Sequence, residues 1–156
     1  MVWVGAKLEM PNFHFSSSVL LRYPLPEVFG FFSTAENLNL LTPRWVRFSI
    51  LTPLPIEMRQ GLVIQYRVRV RGIPYRWDSE ITEWRPPFGF TDTQVRGPYR
   101  YWVHRHGFDE TPEGTVVTDD ITYRVPGGSL VNRLYVAGEL RRIFAYREAK
   151  ILELYP

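Results

Sequence analysis

The chain has 156 residues, enough for one domain with a substantial core, and its 45% hydrophobic and 22% charged content is typical of globular proteins. The net charge of +3 comes mainly from arginines scattered along the chain, which disfavours a nucleic-acid partner. The absence of cysteine excludes disulfides, thiolate metal sites and thiol catalysis. No apolar run could span a bilayer and no basic-then-apolar leader opens the sequence, so we expect a cytoplasmic protein without stable membrane insertion.

The first third of the chain combines one strand with two short helices. Residues 1–12 show no hydrophobic period and are predicted to form a short arm. Residues 13–23 form the first predicted strand, and Pro26 then suits the first position of a helix. A second short helix is predicted at 35–41, and Pro43 ends it because proline disfavours helical geometry in the residue before it.

Period-two alternation dominates the middle of the chain. Turn signals rich in glycine and proline separate the alternating segments at hairpin spacing, the first of them at 72–74. This spacing predicts an antiparallel sheet in which neighbours in sequence also pair in space. The predicted strands are residues 46–51, 62–71, 75–85, 90–96, 97–108 and 115–125.

The C-terminal segment returns to a helical period. Residues 130–154 predict one long helix, with Ser129 as its N-cap. Its apolar stripe must be buried, and the curved sheet is the large apolar partner that the rest of the chain offers. The predicted stripe consists of Leu130, Leu134, Ala137, Leu140, Phe144 and Ile151.

The strand predicted at 97–108, GPYRYWVHRHGF, has an unusual inner face. Alternation places Trp102, His104, His106 and Phe108 on one side of it. A face with an indole, two imidazoles and a phenyl ring fits neither a plain apolar core nor a plain solvated surface. We therefore expect this face to line a pocket.

The two neighbouring strands are expected to add polar groups to the same face. Antiparallel pairing brings Asp92 and Gln94 from one neighbour and Asp119 and Tyr123 from the other. A bulge at 85–89 would turn the first pair outward. A carboxylate beside a buried imidazole offsets the cost of burying charge and raises the pKa of the imidazole.

Three interpretations of Asp92, His104, His106 and Asp119 stay open. They form a hydrogen-bonded network that holds the sheet together, or they orient the polar group of a ligand in an apolar pocket. The third interpretation is general acid–base catalysis, in which one histidine moves a proton and a carboxylate orients its ring. Two histidines on one strand face are a weak metal signal because zinc usually needs a third protein ligand, so no metal is expected.

Three segments resemble the START and birch-pollen-allergen-like superfamily, also called SRPBCC or helix-grip. They are PLPEVFGFFSTAENLNLLTP at 24–43, GIPYRWDSEITEWRPPFGFTDTQVRGPYRYWVHRH at 72–106 and TDDITYRVPGG at 118–128. The resemblance points to an uncharacterised bacterial branch labelled cyclase/dehydrase-like or cell-division-inhibitor-like. It implies one domain over residues 1–156 with an α+β helix-grip fold. In that fold a curved antiparallel sheet of about seven strands wraps around a long C-terminal α-helix, and two short helices lie between strands 1 and 2.

The superfamily implies a deep cavity between the concave sheet face and the long helix. Apolar ligands such as lipids, polyketides, isoprenoids or aromatic molecules would occupy it, and no cofactor is expected. The predicted ligand-binding residues are Tyr66, Trp77, Asp92, Gln94, Trp102, His104, His106, Phe108, Asp119 and Tyr123.

Whether the chain is an enzyme stays open, with binding favoured. The alternative function is polyketide cyclase or dehydratase chemistry, in which Asp92, His104, His106 and Asp119 are the candidate catalytic residues. A third class is a protein-interaction module whose cavity is filled. The expected partner is a small apolar or amphipathic ligand, and the sequence leaves both a monomer and a homodimer open.

Overall fold

The computed structural model of the chain describes residues 10–156, so residues 1–9 of the predicted arm lie outside the described range. Seven strands form one antiparallel sheet. They are β1 (Phe13–Leu21), β2 (Ser49–Ile50), β3 (Val63–Val70), β4 (Ile73–Arg85), β5 (Gly89–Arg96), β6 (Tyr101–Thr111) and β7 (Gly114–Arg124). The order across the sheet is β1-β7-β6-β5-β4-β3-β2, which confirms the predicted meander of sequential hairpins.

Helices lie between the first two strands and at the C-terminus. After β1 come α1 (Leu25–Phe32), a 3₁₀ turn (Ala35–Asn37) and α2 (Leu38–Leu41). The C-terminal segment consists of α3 (Gly128–Val131), a π-helical turn (Asn132–Val136) and α4 (Ala137–Leu154). This arrangement confirms the predicted α+β class. Among the helices of residues 10–156, none combines the length and apolar character that a bilayer crossing requires.

The strand predicted at 46–51 is much shorter than expected. Pro43 starts a 3₁₀ turn instead, in which its carbonyl accepts a hydrogen bond from Val46 N at 3.0 Å. Arg47 then adopts a left-handed conformation with φ of 46°. These two features take the chain out of strand geometry, so only Ser49–Ile50 pairs with β3.

The turn predicted at 72–74 lies one residue earlier. Arg71 and Gly72 both have positive φ, 50° and 85°, and they form the two-residue loop between β3 and β4. Pro74 is already part of β4 and lies opposite Arg69. Its missing N–H is tolerated because this end of β4 has only β3 as a neighbour; pairing with β5 begins at Asp78.

The predicted long C-terminal helix is confirmed as a continuous helical segment from Gly128 to Leu154, but its start and its exposed face differ from the prediction. It begins at Gly128, after Gly127 in a left-handed conformation, so Ser129 lies inside the first turn instead of capping it. Leu130 and Leu134, predicted to be buried, are 58% and 55% exposed. The reason is the π-helical turn, which has more residues per turn than an α-helix. It therefore shifts the apolar stripe, so that residues before α4 no longer share the buried face of α4.

The alternation correctly predicts which residues of β5 and β6 lie on the inner face of the sheet. The β4–β5 pair shifts register between Ile81 and Glu83, not at 85–89, and Asp92 still lies opposite His104 on β6. The inner residues of β6 from Trp102 to Phe108 are all buried. Helix α4 packs against this face, so the polar residues of β5, β6 and β7 lie under it.

Candidate functional site

A cavity of about 240 Å³ lies between the inner sheet face and helices α2 and α4. Strands β3 to β6 form one wall, and Leu140, Ile143 and Phe144 of α4 form part of the opposite wall. Most of the lining is apolar, with aromatic side chains such as Tyr66 and Trp102 prominent in it. The cavity therefore lies where the superfamily resemblance implies one.

Beside the cavity lies an ionic cluster of five side chains, namely Asp92, His104, His106, Asp119 and Arg147. His104 Nε2 lies 2.7 Å from Asp119 Oδ1, and His106 Nε2 lies 2.8 Å from Asp92 Oδ2. The other nitrogen of His106, Nδ1, lies 3.3 Å from Asp119 Oδ1. In the sheet register Asp92 is opposite His104 and Asp119 is opposite His106, so the shortest contacts run diagonally between strands.

Two further contacts complete the surroundings of the carboxylates. Arg147 lies on the buried side of α4, and its Nη2 donates to Asp119 Oδ1 at 3.4 Å. Ser79 on β4 donates its hydroxyl to Asp92 Oδ1 at 2.9 Å. Within residues 10–156, Arg147 Nε is a buried polar atom that has no hydrogen-bond partner.

Both carboxylates stay ionised despite their burial. Burial alone raises the pKa of Asp119, but the Arg147 guanidinium and the hydrogen bonds from both imidazoles hold that pKa well below its usual range. Burial also raises the pKa of Asp92. The hydrogen bond from His106, together with attraction to each imidazole in its protonated form, outweighs burial, so the pKa of Asp92 lies below its ordinary value.

The two imidazoles shift in opposite directions. For His104, burial and the repulsion from His106 outweigh the hydrogen bond to Asp119, so its pKa is lowered. Burial lowers the pKa of His106 too, but its hydrogen bonds to Asp119 and Asp92 outweigh burial, so that pKa is raised. Because both of its nitrogens face carboxylate oxygens, His106 is the imidazole that takes up a proton first as the pH falls, while His104 stays neutral.

These protonation states make the ionic cluster neutral overall. Asp92 and Asp119 contribute one negative charge each, while Arg147 and His106 contribute one positive charge each. A neutral and mutually hydrogen-bonded set is the form in which buried charges cost least. The surrounding protein therefore needs no further counter-ion.

Six of the ten predicted ligand-binding residues line the cavity, namely Tyr66, Trp77, Asp92, Trp102, His104 and His106. Ser79, which the sequence reasoning did not select, lines it as well. Ser79, Asp92, His104 and His106 together form the polar floor of the cavity. Burial and the charge of Asp92 raise the pKa of Tyr66, so its hydroxyl keeps its proton beside this floor.

Gln94 and Tyr123, two further predicted residues, do not line the cavity. The side-chain amide of Gln94 donates to Tyr99 O at 2.8 Å and accepts from Tyr99 N at 3.3 Å. Tyr123 donates its hydroxyl to Asn132 Oδ1 at 2.9 Å. Gln94 thus holds the loop before β6, and Tyr123 holds the π-helical turn.

Phe108 and Asp119 lie behind the cavity wall. Phe108 is fully buried, with ring centroids 5.4 Å from Phe29 and 5.5 Å from Phe32. Asp119 borders a separate, much smaller pocket beside Arg147. Its hydrogen bonds go to the imidazoles that face the cavity, so it orients them from behind.

Arg147 is the charged site residue that the sequence reasoning missed. It lies on α4 between Phe144 and Ile151, at the three- and four-residue steps of the buried stripe. A charged residue within an apolar helical stripe is the signal that indicates it. Such a residue needs a buried counter-charge, and Asp119 supplies it.

Asp92, His104 and His106 each bring one metal-ligating atom within 4.8 Å of the others. However, His106 Nε2 and Asp92 Oδ2 are only 2.8 Å apart, closer than the roughly 3.3 Å expected between two ligands of a tetrahedral zinc with bonds of about 2.0 Å. Both nitrogens of His106 also face carboxylates, so each carries a proton and has no lone pair for a metal. The geometry fits a hydrogen-bonded ion pair.

Comparison with known proteins agrees with this fold. The family model described as "Polyketide cyclase / dehydrase and lipid transport" matches residues 21–144. No curated protein matches the chain. Protein CV1439 from Chromobacterium violaceum is a similar solved structure, with 13% identity and a TM-score of 0.70 over 93% of this chain and 98% of that chain. Ginseng major latex-like protein 151 from Panax ginseng has 13% identity and a TM-score of 0.65 over 93% of this chain and 98% of that chain. The di-domain ARO/CYC StfQ from the steffimycin biosynthetic pathway has 16% identity and a TM-score of 0.63 over 92% of this chain and 50% of that chain.

At these identities the solved structures show a common fold, and the family model adds the sequence evidence. It covers most of the chain, from the end of β1 into α4. The chain therefore belongs to the polyketide cyclase/dehydrase and lipid transport family, within the START/SRPBCC superfamily that its motifs resemble.

Proposed function

We propose that the chain binds a small, largely apolar molecule in the cavity, with the polar group of that molecule held against the polar floor. The observation that carries this proposal is a mostly apolar lining with four polar side chains converging on one part of it. This is the general form of a small-molecule site, in which apolar walls supply affinity and a few placed polar groups fix orientation. The description of the family, which joins polyketide cyclases and dehydrases with lipid transport, supports the same function.

The volume of the cavity narrows the size of the ligand. At about 240 Å³ it lies just below the range of roughly 300–1,000 Å³ that is typical of pockets for drug-sized ligands. A molecule of one or two rings fits this space better than a lipid with two long chains.

The ten predicted residues have different roles in this proposal. Tyr66, Trp77 and Trp102 form aromatic walls, and Asp92 and His104 contact the polar group of the ligand. The remaining five, which hold these residues in place, are Gln94, His106, Phe108, Asp119 and Tyr123.

Filling the cavity tests the proposal. Leu38 lines the cavity, whereas Leu40 on the same helix is 46% exposed. We expect Leu38→Trp to weaken binding of the neutral dye N-phenyl-1-naphthylamine by about tenfold, which corresponds to about 1.4 kcal/mol. Leu40→Trp is the matched control and keeps the affinity of the unaltered chain. Equal dye fluorescence titrations for all three proteins would reject the cavity as the binding site.

Mass spectrometry gives a second test that needs no chosen ligand. The freshly purified protein is measured under native and denaturing conditions, together with both tryptophan variants. We expect a non-covalent mass that is lost on denaturation, present with Leu40→Trp and absent with Leu38→Trp. The same extra mass on Leu38→Trp would contradict the proposal, because that ligand would lie outside the cavity.

Catalysis is the second candidate function, and one observation favours it. His104 lines the cavity, and burial and the charge of His106 lower its pKa, so its neutral ring can act as a base on a bound ketone. We expect an enzyme of this type to accelerate deuterium exchange beside the carbonyl of 2-tetralone, followed by NMR in D₂O. His104→Gln would lose the acceleration while retaining affinity for the ketone. An exchange rate equal to that of buffer, or one unchanged by both His104→Gln and His106→Gln, would reject this function.

Further predictions rest on the sequence alone. We propose that residues 1–156 form one ligand-binding domain that works in the cytoplasm, with nucleic acids excluded as partners. Sedimentation velocity distinguishes a monomer from a homodimer. Titration with a mixed DNA duplex at low salt, where phosphate contacts are strongest, tests the exclusion of nucleic acid.

A further inference from the structure

Both cations of the ionic cluster contact its carboxylates. Both nitrogens of His106 face carboxylate oxygens, at 2.8 Å for Asp92 and 3.3 Å for Asp119. Arg147 Nη2 donates to Asp119 as well. A ligand that carries a negative charge therefore meets a cluster that is neutral overall, in which Arg147 lines the cavity and its Nε is the one buried donor without a partner within residues 10–156.

The atoms that the polar floor offers to a ligand are hydrogen-bond acceptors. His104 Nε2 lies 2.7 Å from the ionised Asp119, so this nitrogen carries the proton of the neutral ring and Nδ1 carries the lone pair. Nδ1 lies 3.8 Å from Asp92 Oδ2, beyond hydrogen-bond distance. The Asp92 side chain is 19% exposed, more than any other member of the ionic cluster.

One more cationic residue borders the cavity, Arg69 on β3. It lies between Val68 and Val70, which belong to the inward-facing set of that strand. Strand alternation therefore directs the Arg69 side chain to the outer face of the sheet.

Tyr66 adds a group that suits a hydroxyl. Within residues 10–156 its phenolic oxygen has no side-chain hydrogen-bond partner, and it lies close enough to Asp92 for that charge to raise its pKa. A ligand hydroxyl both donates and accepts, so it can donate to the polar floor and accept from Tyr66. A carboxylate can only accept, and it would place a second negative charge beside Asp92.

We propose that the ligand is an aromatic molecule with a neutral hydroxyl group, a phenol or an enol, which donates its proton to Asp92 Oδ2 or to His104 Nδ1. This inference rests on the proposed function and specifies the polar group of the ligand. The aromatic walls formed by Tyr66, Trp77 and Trp102 favour a flat ring over an alkyl chain. Carboxylates, including free fatty acids, and phosphates are disfavoured.

Three probes with the same ring system test the inference by calorimetry near pH 7. They are 2-naphthol, 2-methoxynaphthalene, which cannot donate, and 2-naphthoate, which is ionised at this pH. We expect 2-naphthol to bind about tenfold or more tightly than 2-methoxynaphthalene, because the methyl ether cannot make the hydrogen bond to a charged acceptor. We expect 2-naphthoate to bind more weakly still.

Two variants assign the preference to Asp92. Asp92→Asn removes the negative charge, and we expect it to reduce the preference for 2-naphthol over the other two probes to about threefold or less. Asp120→Asn is the matched control, since the Asp120 side chain is 60% exposed and pairs with Arg105 on the outer face. It keeps the preference of the unaltered chain.

The outcomes separate this inference from the proposed function. If all three probes bind equally, or 2-naphthoate binds most tightly to the unaltered chain, the hydroxyl inference is wrong and the proposed function stands. If no probe binds and the neutral dye does not bind either, both are wrong. The comparison of probes uses the unaltered protein, so it holds even if Asp92→Asn fails to fold.

Discussion

Phe108 and His106 lie two residues apart on β6, both on the inner face and both buried, yet their surroundings are opposite. Phe108 packs among the aromatic rings of Phe29, Phe32 and Phe90. His106 lies between two carboxylates, at hydrogen-bond distance from Asp92 and Asp119. The inner face of one strand therefore contains an aromatic core and, one step along, an ionic cluster.

The difference between these regions lies in what burial does to the free energy of folding. Burial of the aromatic core is favourable by itself, because it removes apolar surface from water. Burial of the ionic cluster is unfavourable, and hydrogen bonds and charge balance only offset the cost. Stability alone therefore gives no reason for five ionisable side chains beside the cavity, and the proposed recognition of a polar ligand group would supply one.

The two regions meet at one stacked pair. The rings of Phe90 and His106 are 4.2 Å apart between centroids and only 20° from parallel. A protonated imidazole gains attraction from the face of an aromatic ring. Phe90 therefore separates the apolar core from the charges and also stabilises the charged form of His106.

Removal of the Phe108 ring should give the largest effect. Phe108→Ala leaves a cavity in a core that is closed to solvent, so we expect the free energy of unfolding to fall by about 3–5 kcal/mol in urea denaturation. Dye affinity should change little below the unfolding transition, because Phe108 does not line the ligand cavity. A loss below about 1 kcal/mol would show that the aromatic core can collapse around the missing ring.

Removal of one charge from the ionic cluster should have the next largest effect. Arg147→Met leaves Asp119 with a negative charge in excess, so we expect the free energy of unfolding to fall by about 3 kcal/mol, at the lower end of the range for a broken buried pair. The lower end is expected because Arg147 Nε has no hydrogen bond to lose and because methionine keeps apolar contact with Phe32 and Phe144.

A double variant distinguishes lost charge balance from lost packing. Arg147→Met with Asp119→Asn removes one charge of each sign and leaves Asp92 paired with protonated His106. We expect this protein to recover about half of the stability lost by Arg147→Met alone, in the same urea experiment. If the two losses simply add, charge balance is not what holds the ionic cluster together.

The sequence predicts the part of the site that lies on the sheet. A period of two residues assigns Asp92, His104, His106 and Asp119 to one face, and hairpin turns fix which strands are neighbours. These two local signals are enough to bring the four side chains together. The same alternation identifies Tyr66, Trp77 and Trp102 as inward-facing residues.

The sequence does not predict features that depend on one element meeting another. Arg147 contacts Asp119 only because α4 crosses the sheet at that position, and periodicity does not give the crossing point. Gln94 turns away from the cavity because its amide matches the backbone of Tyr99, a pairing that depends on loop geometry. The exposure of Leu130 follows from the π-helical turn, and no local residue signal marks that turn.

The pH dependence of stability separates the charged region from the apolar one. His106 faces Asp92, Asp119 and His104, with Arg147 on the same Asp119 carboxylate, and it has a raised pKa in the folded protein. The contribution of protonated His106 to the free energy of unfolding is therefore complete at pH values below its ordinary pKa of about 6.5. That contribution is lost as the pH rises through the raised pKa. The carboxylates have lowered pKa values, so their contribution is lost only in acid.

Above pH 7 the ionic cluster should thus lose stability through His106. The lowered pKa of His104 places its change at lower pH, so it adds nothing to the slope in this window. We expect the free energy of unfolding to fall between pH 7 and pH 9, and the fall to be shallower in His106→Gln. Urea denaturation at each pH measures both slopes. Parallel slopes for the two proteins would mean that His106 is already neutral at pH 7.

Gly138 on α4 belongs neither to the aromatic core nor to the ionic cluster. A substitution there should therefore have the smallest effect on stability and serves as a reference for the other variants. Gly138 is exposed, and a methyl group at this position would have only Arg141 Nη2 near it, at 4.0 Å. Gly138→Ala should therefore raise the free energy of unfolding by about 0.5–1 kcal/mol through helix propensity alone. Affinity for the dye should not change. A destabilised protein, or one with weaker dye binding, would show that this turn of α4 must stay narrow or flexible for the ligand to enter.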